Sequence, residues 1–169
     1  MRNKDANVPL GEDADAMLNL MDRALTLSPS YARGWYLSGG TLIWAGHAEK
    51  AIHAIETSLR LSAGTRVGWA AAGLGMAYFM LRRFEEAVPK LLAAITEDPT
   101  YTEAYRYLAA SYVHMGRLDE ARKVVARLRE IASVVVPAGD YFRVPEQRKL
   151  FLDGLRLAAG EIPDQGNIG

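Results

Sequence analysis

Cysteine is absent from the 169-residue chain. That excludes a disulfide scaffold, a thiolate nucleophile and every zinc site that needs sulfur. An excess of either charge is also missing, since twenty Lys and Arg balance twenty Asp and Glu. A neutral chain is a poor general binder of nucleic acid or anionic membrane, so neither is expected as a partner. Histidine is scarce: His47, His53 and His114 show no i, i+4 pair and no HExxH, so no metal site is expected. No Gly-x-Ser-x-Gly elbow occurs, and nucleophilic catalysis has no candidate residue. No run reaches about 18 uncharged apolar residues, so no membrane span is expected. Met1–Pro9 is polar and unlike a secretory signal, which points to the cytoplasm. Half of the residues are apolar, enough for one compact domain or a short repeat array.

Internal periodicity decides between these. Ser28-Pro29-Ser30-Tyr31 and Asp98-Pro99-Thr100-Tyr101 lie 70 residues apart, and a third copy begins between them near Gly64-Thr65. Gly39, Gly75 and Ala109 then share a register, followed by Leu42, Tyr78 and Tyr112. Ala51, Ala87 and Ala121 recur next, with Ile55, Leu91 and Val125 four residues on, then Ser58, Ala94 and Leu128. Apolar spacing at i, i+3, i+4 and i+7 predicts two helices per copy. The first helices span about 32–45, 68–81 and 102–115, and the second about 49–61, 85–97 and 119–132. The recurrent small residues let paired helices approach closely. Pro89 falls early in a second helix and should bend it slightly.

These offsets, with a period near 34, resemble tetratricopeptide repeats. The resemblance implies an all-α, right-handed superhelix of about three and a half hairpins with a C-terminal capping helix. Residues 1–13 are expected to be a flexible lead, and 14–29 a half repeat. Full repeats follow at 30–63, 64–99 and 100–132. A connector and capping helix occupy 133–160, and 161–169 form a disordered tail. Met17 lies 34 residues before Ala51, so the half repeat is a second helix without its first. The chain is therefore expected to be part of a longer protein, or to cover that face with Met1–Pro9. The middle copy departs from the pattern, with Arg82 where Gly46 and Gly116 stand in the others. The layout of Arg117–Arg129, a short connector and Pro145–Ala158 further resembles the C-terminal repeat region of bacterial class III adenylate or guanylate cyclases and of related winged-helix regulators. That implies a signalling parent and no activity here, because the chain has no room for a cyclase domain.

The first helices are unusually apolar: Gly34–Ala48 and Val67–Leu81 carry no formal charge. A helix apolar all round is covered on more than one side. In the resembled family the first helices line a concave groove. The positions expected to face it are Arg33, Tyr36, Ile43 and Trp44, then Trp69, Met76, Phe79 and Met80, then Arg106, Tyr107 and His114. Aromatics, methionines and an arginine in a concavity suit a protein segment, either a peptide or a helix. The alternative occupants are the chain's own capping helix and a second copy in a homodimer. The lysine and asparagine clamp by which some members hold a terminal carboxylate is not matched, since Gly40, Met76 and Ala110 stand there. Arg122, Lys123, Arg127, Arg129, Arg143, Arg148 and Lys149 alternate with acids and read as a solvated face. The glycines of Ser38-Gly39-Gly40 and Gly73-Leu74-Gly75 lie inside helices and read as close-packing positions, not a phosphate loop. The expected function is a non-catalytic interaction scaffold without cofactor.

Overall fold

The computed structural model describes residues 10–62 and 68–162. Eight helices follow one another: α1 (Leu10–Leu27), α2 (Ala32–Trp44), α3 (Ala48–Leu61), α4 (Gly68–Met80), α5 (Phe84–Glu97), α6 (Thr102–His114), α7 (Leu118–Ile131) and α8 (Pro145–Ala159). No strand occurs among the described residues. Helix ends α2 to α7 fall within a residue of the positions the repeat register predicts, and α8 lies inside the stretch expected to hold the capping helix. α1 begins at Leu10, inside the stretch expected to be flexible. Residues 1–9 and 163–169, the rest of the expected lead and tail, lie outside the described residues.

The first two hairpins close where a glycine removes a side chain, and the third has Ala109 at that place. A Cβ on Gly39 would stand 2.5 Å from Ile55 Cγ1, and one on Gly75 would stand 2.6 Å from Leu91 Cγ. The paired second helices therefore sit almost backbone-to-backbone on the first, and Ala51, Ala87 and Ala121 are fully buried there. α4 consists mostly of buried residues and forms the centre of the core. α5 runs unbroken through Pro89, whose side faces solvent.

The turns between paired helices need a left-handed residue. Gly46 and Gly116 supply it at φ +89 and +73, and Arg82 takes the same role at φ +59. A non-glycine residue there costs about 1–2 kcal/mol. Arg82→Gly should therefore raise the unfolding free energy by about 1 kcal/mol, read from the denaturation midpoint.

A second device repeats beside these turns. Arg83 lies 4.7 Å over the Tyr78 ring and pairs with Glu86, and Arg117 lies 4.5 Å over Tyr112 and pairs with Glu120. The first copy has Leu42, His47 and Lys50 at these positions and cannot build the lock. A cleft of about 540 Å³ opens there between α1 and α3, lined also by Trp35 and His53.

Candidate functional site

α2, α4 and α6 pack side by side and form the inner wall of the superhelix. The chain's own C-terminal segment lies on it. α8 packs chiefly on α6 and less on α7, the reverse of what a fourth hairpin would do. It therefore turns back into the concavity and does not simply extend the stack. Pro145 opens α8 and Gly160, at φ +76, closes it.

Three groups of contacts hold this segment. Arg106, 8% exposed, donates from Nη2 to the Val134 carbonyl at 2.6 Å and from Nε to the Val135 carbonyl at 3.0 Å. Its Nη1 meets Thr102 and pairs with Glu103. Trp44 receives two aromatic edges, Tyr141 at 4.8 Å and Phe142 at 5.6 Å, and its carbonyl accepts the Arg143 N–H. Phe151, fully buried, meets Tyr107 at 4.5 Å and Phe79 at 6.3 Å. Outside the groove, Arg143 forms a two-point ion pair with Asp15 at 2.5 and 2.8 Å, tying α1 to the start of α8.

The residues expected to face the groove therefore divide. Ile43, Met76, Phe79, Met80, Arg106 and Tyr107 are buried, and Tyr36, Trp44 and His114 half-buried. Trp69 is 60% exposed, stacked on Tyr101 at 6.0 Å, and Arg33 is exposed. These two stay clear at one edge of the wall. The occupant's own groups, Tyr141, Phe142, Phe151 and Gly154, were not among the expected site residues. Gly154 lets α8 approach α6 closely, because a Cβ there would stand 2.9 Å from His114 Nε2 and 3.3 Å from the Ala110 backbone.

Much of the basic C-terminal third is paired. Arg122, Arg127, Arg148 and Lys149 each pair with an acid, and Arg129 donates to the Ala159 carbonyl. Among the described residues, no three His, Asp or Glu side chains gather to hold a metal, and no helix is long and apolar enough to cross a membrane.

Two family models described as tetratricopeptide repeat match residues 44–102 and 78–133. The fold is a tetratricopeptide-repeat superhelix. Among solved structures, MamA superposes with a TM-score of 0.63 at 21% identity, covering 89% of both chains. YrrB, "a TPR protein with an unusual peptide-binding site", superposes with a TM-score of 0.57 at 26% identity, covering 96% of this chain and 90% of its own. No curated protein matches the chain. A tetratricopeptide-repeat superhelix is a protein-interaction scaffold, and no enzyme family is indicated.

The seam between repeats and occupant is imperfectly matched. Four buried side-chain oxygens among the described residues have no hydrogen-bond partner: Glu103 Oε2, Tyr107 OH, Tyr141 OH and Gln147 Oε1. The first two belong to α6 and the others to the C-terminal segment, and all lie at this seam or beside it. Each such group costs about 1–3 kcal/mol. Burial pushes the Tyr107 hydroxyl well above its ordinary range, with Tyr141 and Glu103 adding to the effect.

His114 sits at the same seam. Its Nε2 donates to the Leu150 carbonyl at 2.9 Å, and its ring stacks on Phe84 at 5.0 Å. Burial holds the imidazole below its ordinary value of 6.5. Arg82 adds to that depression, while the Leu150 bond and Asp153 oppose it. The neutral ring is thus the form that packs. Its stabilisation is complete above about pH 6.5 and is lost as pH falls below that, through the depressed native value. Protease sensitivity of the connector should rise on acidification, and His114→Gln should flatten that dependence.

Proposed function

We propose that the chain is a scaffold whose concave groove takes a protein segment by exchange with its own C-terminal segment. The four unpartnered oxygens at the seam carry this reading: the resident segment fills the groove without satisfying it, so a better-matched segment can replace it. What the groove accepts is legible from its occupant. Arg106 holds main-chain carbonyls of an extended stretch, Trp44 takes an aromatic pair, and Tyr107 takes a ring from an amphipathic helix. The peptide-binding site of YrrB supports a peptide role for such a surface. The open edge at Arg33 and Trp69 gives an incoming segment its first contact.

A labelled peptide spanning residues 133–160 tests this. Phe151→Asp in the full chain should dislodge α8 and expose the groove. The variant should then bind the peptide at least about tenfold more tightly than the unaltered chain, whose groove is rarely free. Equal binding by both, or no binding by a variant that keeps its helical circular dichroism, ends the reading. The cyclase resemblance of the C-terminal part makes the regulatory end of a bacterial signalling protein the parent we infer. A cyclase or DNA-binding domain encoded in frame upstream would support that parent, and a domain of neither kind there would remove it.

A further inference from the structure

The furrow between neighbouring second helices is filled in the later copies and open in the first. Ser38 stands where the second and third copies have Leu74 and Leu108, which are 4% and 2% exposed. Leu42 stands where they have Tyr78 and Tyr112, each lying under an arginine that pairs with a glutamate. Shortening the leucine to serine and the tyrosine to leucine leaves the cleft of about 540 Å³ between α1 and α3. That is the size of a small-molecule site. The opening is set by residues inside the copy, and helices wall it on both sides.

The lining is apolar below and charged at the mouth. Leu18, Leu25, Leu42 and Ala54 are buried or half-buried. Trp35 forms one end of the cleft. Its N–H donates to the Pro29 carbonyl at 2.8 Å, and His53 meets its ring edge-on at 6.2 Å. At the mouth, Lys50 puts a cation where Glu86 and Glu120 put an anion. Asp22 lines the α1 wall. Both are exposed, and among the described residues neither has an ion-pair partner. Glu49 takes no part in this change, because Glu85 and Asp119 match it in the later copies. His47, where Arg83 and Arg117 stand, is too short to cover a ring as they do.

We infer that this cleft binds a free aromatic α-amino acid. The ring takes the space that Tyr78 and Tyr112 fill in the later copies. The carboxylate takes the place of Glu86 and Glu120 and meets Lys50, while the ammonium meets Asp22. The ligand thus brings from outside the ring and the acid that the first copy lacks. Exposed charge pairs add little attraction, so the ring supplies the affinity and the two charges select. The site is independent of the groove exchange, since none of the residues lining the cleft belongs to α4, α6 or α8.

Titration of the full chain with phenylalanine, N-acetylphenylalanine and phenethylamine, read by calorimetry, tests this. Phenylalanine should bind saturably at one site. The other two, each missing one charge, should bind at least about threefold more weakly. Lys50→Gln should weaken phenylalanine and N-acetylphenylalanine and leave phenethylamine unchanged. Asp22→Asn should weaken phenylalanine and phenethylamine and leave N-acetylphenylalanine unchanged. Ser38→Leu with Leu42→Tyr writes the later copies into the first and should abolish binding of all three. The third copy holds Tyr105, Leu108 and Tyr112 together, so the fold accepts such residues beside a large one at the Trp35 position. Absence of saturable phenylalanine binding overturns the site. Binding that survives the double variant, or that ignores both Lys50 and Asp22, places the ligand elsewhere and overturns the cleft. N-acetylphenylalanine binding as tightly as phenylalanine would mean the C-terminus of a peptide and overturn the free amino acid.

Discussion

Truncating Phe151 to alanine is expected to lower the unfolding free energy by about 3–5 kcal/mol, the usual cost of a fully buried phenylalanine. For a domain of this size the melting temperature should fall by roughly 6–20 °C. The ring is 0% exposed and touches partners from three parts of the chain: Phe79 in α4, Tyr107 in α6 and Phe142 in the connector. Those elements close no hairpin with α8, so the loss falls on the occupant of the groove. The connector should become protease-sensitive before the repeats unfold. Trp69→Ala is the control. Trp69 is 60% exposed, and its main aromatic contact is the stack on Tyr101. A similar cost at both positions would mean that α8 is not the element holding the aromatic cluster together.

The repeats were legible in the sequence because they are written three times. A small residue at Gly39, Gly75 and Ala109 and a buried one at Ala51, Ala87 and Ala121 repeat the same physical demand, so each copy checks the others. The uncharged first helices also announced correctly that something covers them. The capping helix was one of the occupants the sequence offered, but which of them covers the helices was not legible, because the covering contacts join residues far apart that occur once. Arg106 meets Val134 and Val135 nearly thirty residues on, and Asp15 meets Arg143 across the length of the array. The aromatic pair Tyr141-Phe142 and the mid-helix Gly154 were visible as residues. Their meaning depends on which wall they face, and no periodicity encodes that. Arg82 was visible as a lost glycine, but only the backbone angle of +59 shows that the turn kept its shape and bore the strain.

Adjacent glycines in α2 should respond to alanine with opposite signs. Both sit inside a helix, where replacing glycine by alanine gains about 0.5–1 kcal/mol if space allows. Around Gly40 it does, since a Cβ there meets no atom within 4 Å. Gly40→Ala should stabilise the chain by about that amount. Around Gly39 it does not. The new Cβ would stand 2.5 Å from Ile55 Cγ1 and 3.3 Å from the Ala51 carbonyl oxygen. Ile55 is itself fully enclosed, and the carbonyl belongs to the α3 backbone, so relief requires the hairpin to open. Overpacking of this kind costs about 1–3 kcal/mol beyond what the helix gains. Denaturant midpoints of the two variants should therefore move apart from that of the unaltered chain, Gly39→Ala downward and Gly40→Ala upward. Movement in the same direction would show that α2 and α3 are not clamped at Gly39. The close-packing role read from Ser38-Gly39-Gly40 thus belongs to Gly39 alone, while Gly40 leaves the concave wall open where the C-terminal segment does not reach.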